Sequence, residues 1–132
     1  MSRDEIYESV REVLEEALGA DEEEITLQAS LTRDLEAESI DFLDIVFRLE
    51  KKFTTDEKPF KISQGELFPE NLMENPEWVE EGKFTDAGMA MLKERMPHVD
   101  FSGFENDRDL NKVAELITVD SIVDFVARKL AA

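Results

Sequence analysis

The chain has 132 residues and a mass of 15.2 kDa, the size of one domain. Its 15 Lys and Arg stand against 33 Asp and Glu, a net charge of -18, which excludes a protein that grips a nucleic-acid backbone and favours basic protein partners. The absence of cysteine excludes disulfides, thiol catalysis and thiolate metal sites, no apolar run approaches a membrane span, and the start MSRDEIYE lacks the regions of a signal peptide, so a soluble cytoplasmic protein is expected.

Residues 2–18 read as an amphipathic helix with Ile6, Val10, Val13, Leu14, Ala17 and Leu18 on one face, Ser2 as its N-cap and Gly19 as its stop. Residues 20–38 form an acidic, turn-rich connection that packs on the core through Ile25, Leu27, Leu31 and Leu35. Residues 39–53, SIDFLDIVFRLEKKF, give the strongest helical pattern. Phe42, Val46, Leu49 and Phe53 make one apolar stripe, and Ile40, Leu43 and Phe47 an adjoining one. Asp41 and Asp44 near its start and Lys51 and Lys52 near its end agree with the helix dipole.

Residues 54–109 change character, broken into short pieces by prolines and glycines. Only Thr85 to Met96 reads as a helix there, capped by Thr85 and slightly weakened by Gly88. Residues 110–116 suit a short helix. Residues 118–131 suit a final amphipathic one, capped by Thr118, with Val119, Ile122, Val123, Val126 and Leu130 on its face. The expected fold class is all-α: a four-helix bundle of three main helices plus one short, in a single domain over 1–132.

One constellation carries chemistry. Asp34-Leu35-Glu36-Ala37-Glu38-Ser39-Ile40-Asp41 runs into Phe42-Leu43-Asp44 and an acidic-apolar helix. Ser39 stands where a helix begins, and unpaired N–H groups with a partial positive charge there would stabilise a phosphodiester. Read alone, such a serine is an N-cap, and charge runs such as Glu22 to Glu24 are solvated surface.

This stretch resembles the phosphopantetheine attachment region of acyl carrier proteins, whose D-S-L triplet opens the second helix. Here the triplet is Glu38-Ser39-Ile40, preceded by Asp34-Leu35 and followed by Asp41, Asp44, Glu50 and Phe53. The Ile25-Thr26 … Ser30-Leu31 … Asp34-Leu35 connection and the Thr118-Val119 opening of the last helix are similar too, so the likeness covers 1–53 and about 105–131. It implies an acyl-carrier-like bundle and a non-catalytic carrier. Ser39 would hold 4′-phosphopantetheine taken from coenzyme A, whose thiol carries acyl groups as thioesters. Glu36, Glu38, Asp41 and Asp44 would form the acidic patch read by partners, and Ile40, Leu43 and Phe47 the partner face or the acyl pocket. The implied partners are a phosphopantetheinyl transferase and acyltransferases, ketoacyl synthases or acyl-ligases with basic docking patches, met by a monomer that enters no membrane.

Two features depart from the family pattern. Glu38 replaces Asp before the serine, keeping the carboxylate one methylene further out. The connection after the second helix carries a partly helical insertion at about 55–105, roughly 50 residues more than common carriers have. Its Trp78, Phe84, Met89, Met91, Leu92, Met96 and Phe101 imply packing. The run Asp41 to Phe47 is also similar to carriers of long acyl chains for lipid A, which points to lipopolysaccharide or another dedicated lipid route. Peptidyl carriers have Gly-Gly where Glu36-Ala37 stands, which disfavours them.

Several residues read as structural. Asp120-Ser121-Ile122 is closer to D-S-L than the Ser39 triplet, but Ser121 lies inside the final helix and is expected to face solvent. His98, the single histidine, has no second imidazole or nucleophile to work with and reads as a loop residue after Pro97. No metal-ligand set and no phosphate-binding glycine loop is visible. The competing reading is an acidic helical adaptor that binds basic partners without a prosthetic group.

Overall fold

The computed structural model describes residues 2–62, 67 and 76–131. Helix α1 spans Arg3–Leu18. At its start Ser2 and Glu5 cap each other: Glu5 N–H donates to Ser2 Oγ (3.2 Å) and Ser2 N–H to Glu5 Oε1 (3.1 Å). The bonds from Ser2 hold the Glu5 carboxyl below its usual range. Gly19 ends α1 at φ +68°, its N–H on Glu15 O at 2.9 Å.

Helix α2 spans Ser39–Phe53. The last helix, Val119–Ala131, opens on a reciprocal cap in which Ser121 N–H donates to Thr118 Oγ1 (3.2 Å) and Thr118 N–H to Ser121 Oγ (3.3 Å). Ser121 is therefore only 5% exposed, against the expectation that it faces solvent. The T-x-x-S spacing was its signal: a serine three residues after a cap can return the bond that Glu or Gln gives in a capping box.

Helix α1 packs on both α2 and the last helix. Ile6, Val10, Val13 and Leu14 meet Ile45, Leu49 and Phe53 of α2 and Val119, Ile122, Val123 and Val126 of the last helix in one apolar core. The buried line of α2 runs through Ile45, with Phe42 and Val46 only half-buried beside it. Lys52–Glu12 (2.6 Å) and Arg48–Glu16 (3.2 Å) bridge α1 to α2, and Arg3 reaches Asp120 (2.9 Å) and Asp124 (3.3 Å) of the last helix. These exposed pairs add little stability. The Lys52 ammonium holds the Glu12 carboxyl below its usual range.

The connection after α1 includes a 3₁₀ turn at Glu22–Glu24 and buries Ile25, Leu31 and Leu35 as expected, but leaves Leu27 exposed. Leu27 contributes its carbonyl, which takes Asp120 N–H at 2.9 Å, while Ala29 O takes Val119 N–H at 3.0 Å. The loop thus pairs with the start of the last helix by backbone, and the side chain at 27 is free to point out.

Between Pro76 and Ile117 the helical expectation needs one addition, a small antiparallel hairpin. Strands β1 (Val79–Glu80) and β2 (Lys83–Phe84) pair Val79 with Phe84 and Glu80 with Lys83. Glu81 (φ +54°) and Gly82 (φ +80°) make a two-residue turn with both centres left-handed, the geometry hairpins favour. Helix α3 follows at Asp86–Arg95, capped by Thr85 Oγ1, which accepts Gly88 N–H at 3.1 Å. Gly88 is more than a weak spot in the helix: a Cβ there would lie 2.1 Å from Trp78 O, so the hairpin packs on α3 only because that side chain is missing. Phe84, Met89, Met91, Leu92, Met96 and Phe101 are buried, as their apolar character implied, and Trp78 is half-buried under the Arg95 guanidinium, 4.8 Å away.

A 3₁₀ turn at Phe104–Asn106 and a longer one at Leu110–Leu116, the expected short helix, lead into the final helix, α4. His98 is a loop residue, as expected, yet it is buried. Its ring meets Phe125 of α4 edge-on at 5.0 Å and Nε2 lies 3.2 Å from Leu67 O, so it ties the segment after α2 to the bundle.

Candidate attachment site

Ser39 is the first residue of α2, and its position is set from both sides. Upstream, Ser30 is the hub of a tight loop. Its N–H donates to Asp34 Oδ2 (2.7 Å), its hydroxyl to Glu115 O (2.8 Å), and its carbonyl accepts Asp34 N–H (2.9 Å) and Leu35 N–H (3.2 Å). Leu31 N–H bonds Ile117 O (3.0 Å) and Ala37 N–H bonds Leu31 O (2.8 Å). Asp34 of the motif is thus a loop-forming residue. Buried Leu35 and Ala37 clamp the segment onto the core two residues before Ser39.

Glu36 lies between those two anchors at φ +58°. This left-handed conformation costs a non-glycine residue about 1 kcal/mol, and it occurs at the position where peptidyl carriers place a glycine. The bend lets both anchors point inward while Glu36 stays exposed.

Downstream, Glu38 is the N-cap of α2, and its N–H donates to Asp41 Oδ2 at 2.8 Å. Asp41 and Phe42 turn their N–H groups to Glu38 O (2.9 and 3.3 Å). The N–H groups of Ser39 and Ile40 fall in the first turn, where a helix supplies no carbonyl partner. Glu38 and Ile40 are exposed on either side of Ser39. A helix start with exposed neighbours, first-turn N–H groups that the helix itself does not use and the positive end of the dipole suits a phosphodiester.

The residues expected around the serine separate by role. Glu36 and Glu38 are exposed carboxylates, Asp41 is occupied in the helix cap, and Asp44 pairs with Arg48 (Oδ2 to Nε, 3.0 Å). Ile40, Leu43 and Phe47 are 75%, 72% and 61% exposed. They form one apolar stripe about 10 Å long down the outer face of α2, with Lys51 Nζ 5.9 Å from the Phe47 ring. Ser121, whose triplet resembles the site, is buried in the cap of α4. Arg48 was not singled out from the sequence. Its place four residues after Asp44 was the available signal.

The chain belongs to the phosphopantetheine-attachment family: residues 8–76 match the family described as "Phosphopantetheine attachment site". Its prosthetic group is 4′-phosphopantetheine, which the open start of α2 fits. The chain is similar to the acyl carrier protein of Petrotoga mobilis, 42% identical over 53 residues (40% of this chain, 62% of that protein). It is 39% identical to that of Rubrobacter xylanophilus over 69 residues (50% of this chain, 85% of that protein). With the acyl carrier protein of Thermotoga maritima it shares 42% over 52 residues (39% of this chain, 64% of that protein). The alignments thus span a little under two thirds of the Petrotoga and Thermotoga proteins. No solved structure gives a significant match. Among the described residues, no helix is long and apolar enough to cross a membrane.

Proposed function

We propose that the chain is an acyl carrier protein whose arm is attached to Ser39, and that it presents acyl thioesters to enzymes of fatty-acid or specialised lipid synthesis in the cytoplasm. The observation that carries this reading is the start of α2 at Ser39, at an exposed helix N-terminus inside the segment that matches the attachment family. The arm, once bound, supplies the thiol that holds the acyl group. The chain's own part is to hold the phosphodiester against first-turn N–H groups and to keep the arm's root at the surface. In loading, the Ser39 hydroxyl oxygen would form the new P–O bond as the diphosphate bond of coenzyme A breaks, with adenosine 3′,5′-bisphosphate leaving and the hydroxyl proton passing to a base of the transferase.

Recognition falls to the outer face of α2. Exposed Glu36 and Glu38 meet the basic patch of a transferase or acyl-handling enzyme, and Ile40, Leu43 and Phe47 fill its apolar centre. The outward direction of these three side chains favours the partner face over the acyl pocket. The segment at about 55–105 is an insertion within a single carrier domain that adds partner surface, and the likeness of Asp41 to Phe47 to lipid A carriers favours a dedicated lipid route.

The test is intact mass before and after incubation with coenzyme A and a broad-specificity phosphopantetheinyl transferase, with Ser39→Ala and Ser121→Ala in parallel. The native chain and Ser121→Ala should gain one phosphopantetheinyl unit, and Ser39→Ala none. Modification that survives Ser39→Ala would reject the site. No modification of the native chain, with Glu38→Asp also inert, would favour the acidic adaptor.

A further inference from the structure

Glu36, Glu38, Asp41 and Asp44 flank Ser39 in the sequence, but the structure does not use them alike. Glu36 and Glu38 are exposed, and Asp44 is paired with Arg48 on the next turn of α2. Asp41 is half-buried, and its carboxylate serves the chain itself: Oδ2 accepts the Glu38 N–H at 2.8 Å. That bond closes a small ring around the attachment residue. Glu38 N–H reaches forward to Asp41, while Asp41 N–H and Phe42 N–H reach back to Glu38 O at 2.9 and 3.3 Å, with Ser39 and Ile40 in between.

The place of this ring in the chain gives it consequence. Ala37 is buried in the core, and α2 begins at Ser39, so Glu38 is the one joint between a clamped residue and the helix. It is held extended, at φ -106° and ψ 169°. The N–H of an N-cap residue has no partner within the helix it opens, and a side chain at the third helical position is the one that can reach back to it. Glutamate also lies outside the residues that start helices well, which are Ser, Thr, Asp, Asn and Gly. Helices α1, α3 and α4 each begin on such a residue, at Ser2, Thr85 and Thr118. The start of α2 therefore depends on the returning bond from Asp41.

We propose that Asp41 is a positioning residue for the loading of Ser39: it acts through the backbone of Glu38, fixing the residue at which α2 begins, and not as a charge that the transferase reads. The inference rests on attachment at Ser39. With the ring closed, the transferase meets a serine whose backbone already has helical geometry, and no ordering of the first turn is left for the encounter. Without it, Glu38 turns freely and Ser39 leaves the helix with it. This role needs an acceptor oxygen at position 41 and does not need a negative charge there.

Initial rates of arm transfer from coenzyme A to the full chain, catalysed by a broad-specificity phosphopantetheinyl transferase and read by intact mass, test this. Asp41→Ala should lower kcat/KM by about tenfold or more, with the helical spectrum retained. Asp41→Asn keeps an acceptor oxygen and removes the charge, and should stay within about threefold of the native chain. Adding Glu38→Asp to the Asp41→Ala chain installs a preferred N-cap and should restore most of the lost rate. A loss in Asp41→Asn as large as that in Asp41→Ala would show that the charge is read, and overturns the proposal. So does an Asp41→Ala chain that loads like the native one, or a double variant that recovers nothing. A native chain that takes no arm, or transfer that survives Ser39→Ala, rejects attachment at Ser39 and this role with it.

Discussion

The bundle of α1, α2 and α4 and the segment from Pro76 to Ile117 bury their side chains in different ways. In the bundle each helix contributes a repeating face, so Ile6, Val10, Val13 and Leu14 meet Ile45 and Leu49 over several turns. In the later segment burial comes singly, from turns and short elements: Phe84 from a hairpin, Met96 from a helix end, His98 and Phe101 from loops. The first region depends on volume filled along a seam. The second depends on a few close approaches, above all that of Trp78 O to Gly88. Bundle positions should therefore respond most to lost volume and positions in the segment most to added volume.

The largest effect should come from Leu49→Ala, which empties a fully buried site at the α1–α2 seam. A loss of about 3 to 4 kcal/mol is expected from the denaturation midpoint. Gly88→Ala comes next and sharpens the contrast. An exposed helical glycine would gain about 1 kcal/mol from this change, but the Trp78 carbonyl stands in the way, and a loss of about 2 to 3 kcal/mol is expected. Both variants should unfold in one transition, because the two regions share one core and His98 packs on Phe125. A separate early transition in Gly88→Ala alone would break that unity. The smallest effect concerns the whole surface. Raising salt from about 0.01 to 0.15 M, where the screening length falls from roughly 30 to 8 Å, should raise the melting temperature by a few degrees. A flat response would show that the -18 charge does not strain the fold.

The helical seams were legible because burial there follows a 3.6-residue period that needs no knowledge of the partner. The same period hid the difference between the two stripes of α2. Both are apolar, but Leu49 and Phe53 of the first are buried, as is Ile45, which neither stripe included, while Ile40, Leu43 and Phe47 stand outside, since the bundle offers α2 only one face to fill. The hairpin was missed because each strand has two residues, too few for an alternating pattern, and its turn is carried by Glu81-Gly82 in place of the more telling Asn-Gly. Ser121 was misread because helical position alone does not say which side of a first turn faces the neighbouring loop.

The sequence by itself determined the acidic balance, the four helices with their caps at Ser2, Thr85 and Thr118, and the helix start at Ser39, because charge, capping and periodicity act between residues a few positions apart. Only the tertiary structure decided that Leu35 and Ala37 are buried against the core while Glu36 between them stays exposed. It alone decided that Gly88 must lack a side chain. Those outcomes depend on chain segments far apart in sequence meeting at van der Waals distance, and no local pattern encodes such a meeting.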